Sequence, residues 1–368
     1  MKSIYYFFVI VFFMSVACNR SPQTKEAEEP ASEIPSFKVD PFWPKTLPDN
    51  WLLGQVSGVA VDTDDHVWII NRPNSLGLDE VGPDWTLQEL PFTPAPPVIE
   101  FDGEGNIVQS WGGQGEGYDW PESEHGIYVD PEDNVWISGA AENDHQVLKF
   151  TSDGEFLLQI GRPGETGGSN NKELLGKPAE IDVDIENNEV YIADGYLNKR
   201  VIVFDAETGE YKRHWGAYGN EPEDIESDSY VSNNISPEHF SVVHSVRISE
   251  DGLVYVCDRG NNRIQVFEKD GKFIFEEFIA KDTPGYGSTW DTDFSADPGQ
   301  RFIYVADGTN QCVWLLERET LKILGHFGRI GRYAGQFMWI HNVAVDSEGN
   351  IYTGEVYTGK RVQKFIYK

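Results

Sequence analysis

Val254-Tyr255-Val256-Cys257-Asp258-Arg259-Gly260-Asn261-Asn262-Arg263-Ile264-Gln265-Val266-Phe267 holds two short apolar strands joined by a polar turn. Its opening four residues recur as Val67-Trp68-Ile69-Ile70, Val135-Trp136-Ile137-Ser138, Val190-Tyr191-Ile192-Ala193, Ile303-Tyr304-Val305-Ala306 and Ile351-Tyr352-Thr353-Gly354. Each copy follows another strand that ends near an acidic turn, such as Val59-Ala60-Val61-Asp62 or Ile181-Asp182-Val183-Asp184. A fourth strand usually runs toward Trp-Gly or Phe-Gly, as at Trp111-Gly112, Trp215-Gly216 and Phe327-Gly328. Turn signals such as Lys269-Asp270-Gly271 separate the strands. No long segment has helical apolar periodicity. Four short antiparallel strands per roughly 50 residues describe a propeller blade. The chain is therefore expected to be all-β, a six-bladed β-propeller over residues 36–368.

The last copy lacks an outermost strand, because the chain stops after Arg361-Val362-Gln363-Lys364-Phe365-Ile366-Tyr367. Ser36-Phe37-Lys38-Val39-Asp40 is extended and apolar enough to supply it. Closure with strands from both ends would remove an exposed sheet edge.

Residues 1–17 read as a secretion signal, with Lys2, an apolar run Ile4 to Met14, and Ser15-Val16-Ala17 before Cys18. A small residue followed by cysteine is similar to the lipoprotein cleavage box, so Cys18 is the expected lipidation site. The protein is then exported and lipid-anchored to a bacterial membrane, at the periplasm or the cell surface. Residues 18–35 are polar and read as a flexible tether. Cys257 and Cys312 lie on different blades, so a disulfide is open but not implied. The net charge is −32, with 61 acidic against 29 basic residues, which excludes a nucleic-acid partner because no basic stripe exists. A monomer is expected.

Three of the eight histidines stand at one place in three alternate copies: His125, His244 and His341. Ser57, Ala179 and Thr292 take that place in the others. In a closed ring, alternate copies stand about a third of a turn apart, so three imidazoles point at one spot on the axis. Three nitrogens with room for a fourth ligand suit a catalytic zinc. One buried histidine alone is usually a hydrogen-bonded core residue; three in register are not so explained. Arg72 and Arg259 each follow the polar residue that ends a second strand, at one rim of the ring. A guanidinium there suits a carboxylate, because its planar fork donates two parallel bonds. Tyr196 follows Asp194-Gly195 at the same rim, and nearby positive charge favours the phenolate that a general base needs. Asp62, Asp130, Asp184 and Asp346 recur at strand ends as turn formers. The long insertions 73–97, 163–178 and 218–240 are candidates for pocket walls.

The tandem units resemble NHL repeats, most closely over Asp258 to Phe267. More narrowly, Gly54 to Asp62, His125-Gly126-Ile127, Asp194 to Asn198, Val243-His244-Ser245, Asp258-Arg259 and Ile340-His341-Asn342 resemble the peptidyl-α-hydroxyglycine α-amidating lyases. The resemblance implies zinc on His125, His244 and His341, a catalytic Tyr196, and active-site Arg72 and Arg259. It also implies a structural calcium on the backbone carbonyls of Val59 and Ile127 and on an Asp that is Asn342 here, which keeps an oxygen but loses the charge. The implied reaction cleaves an N-acyl or peptidyl α-hydroxyglycine, or a related carbinolamide, to an amide and glyoxylate. The substrate is a small molecule or peptide with a terminal carboxylate. Two other readings stay open at this point: a non-catalytic surface propeller binding protein or glycan, and a calcium-dependent lactonase.

Overall fold

A computed structural model describes residues 34–77, 80, 91–225 and 237–368, together with Met1. The expected leader, Cys18 and the tether up to residue 33 lie outside the described residues. Parts of two insertions, 78–79 with 81–90 and 226–236, lie outside them as well. The propeller is the compact unit Pro35–Lys368.

Six four-stranded antiparallel sheets form, each from strands in chain order except the last, with the short strand Thr93–Pro94 interrupting the first. The inner strands are Gln55–Val61, Glu124–Val129, Ile181–Asp184, Val243–Ile248, Asp291–Phe294 and Ile340–Val345. Each packs on the next, and the sixth returns to the first, so the ring is closed. Phe37–Asp40 pairs with Arg361–Tyr367, Phe37 opposite Tyr367 and Asp40 opposite Lys364, and completes the sixth blade as expected. A two-residue parallel pair, Trp51–Leu52 with Thr93–Pro94, sits outside the blades.

The recurring four-residue motif explains the packing. Side chains alternate across a strand, so one motif feeds two interfaces. Val67 and Ile69 enter the core between the sixth and first blades, whereas Trp68 and Ile70 enter the core between the first and second. Trp68, Trp136, Tyr191, Tyr255, Tyr304 and Tyr352 place one fully buried aromatic in each of the six interfaces. Three of these aromatics reach a turn aspartate: Trp68 Nε1 donates to Asp62 at 2.8 Å, Trp136 Nε1 to Asp130 at 3.0 Å and the Tyr352 hydroxyl to Asp346 at 3.0 Å. Asp130 Oδ1 also accepts from the Glu132 and Asn134 amides, so these aspartates order the hairpin turns and anchor the aromatics together. Cys257 and Cys312 are buried and free.

Candidate metal centre and active site

The inner strands carry β-bulges where the site needs them. Register shifts fall between Val56 and Gly58, Glu124 and Ile127, Val243 and Ser245, and Ile340 and Asn342. A bulge leaves a residue out of the ladder and re-aims its side chain. The re-aimed residues include Ser57, His125, His244 and His341.

The three imidazoles meet on the axis. Ring centroids are 5.0 Å apart for His125 and His244, and 4.8 Å for each of the other two pairs. One ligand nitrogen from each lies within 4.8 Å of the others. All three side chains are buried. The third and fifth blades put Ala179 and Trp290 at the histidine place, because Ala179 N bonds Ala193 O and Trp290 N bonds Ala306 O in matching register. Thr292, expected there, sits two residues further on, where its hydroxyl donates to Tyr304 O. The insertion before the fifth inner strand hides its start. Trp290 instead flanks the histidines, 5.8 Å from His244 and 5.5 Å from His341.

Hydrogen bonds set the tautomers. His244 Nδ1–H donates to Trp290 O at 2.5 Å, and His341 Nδ1–H donates to Asn342 Oδ1 at 2.5 Å. Both leave an Nε2 lone pair facing the axis. His125 Nδ1 has no hydrogen-bond partner, with Glu180 Oε1 at 4.0 Å. His125 Nε2 and His244 Nε2 both approach the Tyr196 hydroxyl, at 2.8 and 2.9 Å. One phenol proton cannot satisfy two bare nitrogens, so a positive centre among them fits the donor set. Burial, then mutual and arginine charge, hold His125 and His244 well below the usual imidazole range. Burial and the Arg72 charge push His341 down to about 3. Neutral imidazoles are the ligating form, and an all-nitrogen set with a fourth position open suits zinc.

The rim residues converge as well. Asp194 and Asp258 close the second strands of their blades, accept from the incoming loops at Gly176 N (2.7 Å) and Ser241 N (2.8 Å), and bind Arg200 and Arg263. Asn71 does the same for Gly54 N at 3.1 Å. These anchors fix the residues just after them, which are Tyr196, Arg259 and Arg72. At Gly195 any Cβ would lie 2.1 Å from Val243 O, so only glycine lets this turn press against the fourth blade. Arg259 stacks over Trp290 and Tyr196, 4.5 and 5.3 Å from the ring centres, and its Nη1 lies 3.4 Å from the Tyr196 hydroxyl. Its buried Nε has no partner. Arg72 is differently occupied: Nε donates to Glu124 O at 2.5 Å and Nη1 to Gln55 Oε1 at 2.9 Å. Beside Trp290, an aromatic wall of Trp339, Tyr286 and Tyr357 rises from the histidines.

Asn342, Val59 and Ile127, the residues to which the resemblance assigns calcium, lie on the inner strands beside the triad. Asn342 turns its amide oxygen to His341, and its Nδ2 donates to Glu180 at 2.6 Å and toward Asp291 at 3.4 Å. It acts as a donor toward those carboxylates, and its oxygen is engaged by His341. Val59 and Ile127 are buried in their strands. Glu180 and Asp291, each one residue past the histidine place in its blade, are buried under the imidazoles. Sequence reasoning passed over them, and the signal was available in their register alone. His66, His145, His214 and His326 lie in other settings; His66, for example, bonds Glu100 at 2.6 Å on an outer turn.

Residues 240–267 match the NHL repeat. Across 91% of its length the chain is 28% identical to NHL repeat-containing protein 3 of Mus musculus, spanning 85% of that protein. It is also 28% identical to peptidyl-alpha-hydroxyglycine alpha-amidating lyase 1 of Drosophila melanogaster, over 89% of this chain and 59% of that one. A crystal structure of a Bacteroides thetaiotaomicron protein of unknown function superposes with TM-score 0.54 at 15% identity, covering 86% of this chain and 70% of the other; at that identity it speaks for the fold alone.

Proposed function

We propose that this propeller is a zinc-dependent lyase that cleaves an N-acyl α-hydroxyglycine, or a related carbinolamide, to an amide and glyoxylate. The observation that carries this reading is the meeting of three buried imidazoles on the axis, with His125, His244 and Arg259 all turned to the Tyr196 hydroxyl. His125, His244 and His341 would hold the metal through Nε2. When bound, zinc acts as a Lewis acid that makes a carbinol hydroxyl easier to deprotonate, as it does water.

The chain's own residues do the rest. Tyr196, as phenolate, takes the proton from the substrate hydroxyl. The C–O bond becomes the aldehyde C=O of glyoxylate as the C–N bond breaks, and the electron pair leaves on the amide nitrogen. The same proton passes from the Tyr196 hydroxyl to that nitrogen, so the balance closes with no co-reactant. Arg259, with its unpartnered Nε, is the arginine free to hold the glycine carboxylate. Arg72, already spent on Glu124 O and Gln55, is suited to steady the charge around Tyr196. The buried walls keep competing water from the reacting centre.

Purified protein is expected to carry one zinc per chain and to release glyoxylate from N-acetyl α-hydroxyglycine, with activity lost to chelator and restored by zinc. A chain with no bound metal and no turnover would leave the non-catalytic propeller standing. Arg259→Lys keeps the charge and loses the fork. It should raise KM on the order of 10- to 100-fold with a smaller change in kcat, because a carboxylate anchor acts in binding. A fall in kcat with unchanged KM would reassign the residue.

A further inference from the structure

Below the histidines the ring axis changes character. One residue past the histidine place stand Glu180 and Asp291; three residues past it stand Asp182, Arg247 and Asp293. Glu180, Asp182, Asp291 and Arg247 are all at least nine-tenths buried. Arg247 runs upward from its strand. Its Nη1 donates to Ile181 O at 2.9 Å, its Nη2 lies 3.9 Å from Asp291 Oδ1, and its guanidinium lies over the Tyr128 ring at 5.6 Å. Ile181 is two residues past the histidine place of the third blade, as Val59 and Ile127 are in the first and second. The guanidinium therefore bonds the layer of inner-strand carbonyls to which the lyase resemblance assigns calcium.

The carboxylates around it are fixed by neutral donors. Asp291 accepts from the Ser245 hydroxyl at 2.7 Å and Val343 N at 3.1 Å, Asp182 from Ile248 N at 2.7 Å, and Asp293 from Val345 N at 2.8 Å. Four acids withdrawn from water without a counter-charge would be strongly unfavourable. Burial tends to lower Arg247, yet Asp291, Asp182, Asp293 and Glu180 together raise it above the usual guanidinium range.

We infer that the Arg247 guanidinium is the built-in axial cation of this propeller, taking the structural place of calcium, so that the ring and its histidines stand without that ion. The place of calcium comes from the lyase resemblance, but the role of Arg247 survives or fails independently of lyase activity.

The test uses the full chain, stripped with a calcium-selective chelator and resupplied with zinc. Elemental analysis should find less than about 0.1 calcium per chain, and 1 mM calcium should leave Tm unmoved. Arg247→Met keeps the stem and removes the charge; Tm should fall by about 5 °C or more, and millimolar calcium should recover part of the loss, while Arg247→Lys should stay near the parent. A parent protein with one tightly held calcium, or with Tm raised by added calcium, would overturn the inference. So would an Arg247→Met variant as stable as the parent. Should that variant not fold, the calcium content of the parent decides alone.

Discussion

His244→Ala is expected to empty the metal centre and to lower glyoxylate release on the order of 10³-fold, the scale on which removing a charge stabiliser from a buried site acts. Nothing nearby can repair the loss. His244 is fully buried, its Nδ1–H is committed to Trp290 O, and the positions that flank it on the ring are Ala179 and Trp290, which ligate nothing. Zinc measured by elemental analysis should drop from one to below about 0.1 per chain. His145→Ala is the control: His145 Nδ1 accepts from Lys177 N at 3.2 Å, away from the triad, and the variant should keep both metal and activity. The same site predicts a pH response. Burial depresses the three imidazoles below the ordinary range, His341 to about 3. Protons therefore compete for Nε2 only as pH approaches those lowered values, and zinc should stay bound from pH 7 down to about 5, where exposed histidines, with pKa near 6.5, would already be protonated. Metal lost in parallel with a pKa near 6.5 would contradict the buried, neutral triad.

Tyr196→Phe should cost about 10²- to 10⁴-fold in kcat, the usual contribution of a positioned general acid–base group, with zinc retained. The phenyl ring keeps its edge contacts with His125 and His244, whose ring centres are 5.2 and 5.6 Å away, so the triad should not rearrange. Removal of the hydroxyl deletes the partner shared by two imidazoles and Arg259. Metal content and KM then separate its chemistry from a packing role: unchanged metal with collapsed kcat supports proton transfer, and unchanged kcat removes Tyr196 from the mechanism.

The ring was legible because its repeat carries a physical necessity. Each blade must bury both faces, so an aromatic between aliphatics recurs at Trp68, Trp136, Tyr191, Tyr255, Tyr304 and Tyr352. The axial histidines were legible for the same reason, since register in a repeat fixes direction. Legibility failed where an insertion blurred the register, which is why the fifth-blade position belongs to Trp290 in place of Thr292. It failed again along the axis itself. In sequence, Glu180, Asp291 and Arg247 look like ordinary polar residues of alternating strands; only closure of the ring turns their faces inward. The division of labour between Arg72 and Arg259 was also beyond the sequence, because it depends on which guanidinium the Glu124 carbonyl and Gln55 already occupy.

The strand exchange that seals the sixth blade has a temporal meaning. Phe37–Asp40 pairs with the far later strand Arg361–Tyr367, and the three axial histidines are spaced roughly a hundred residues apart. A growing polypeptide leaving the ribosome can therefore present at most two of them until His341 has emerged. Under the proposed function, ion capture is then a late event in biogenesis, and a product cut short before His341 would lack a complete triad.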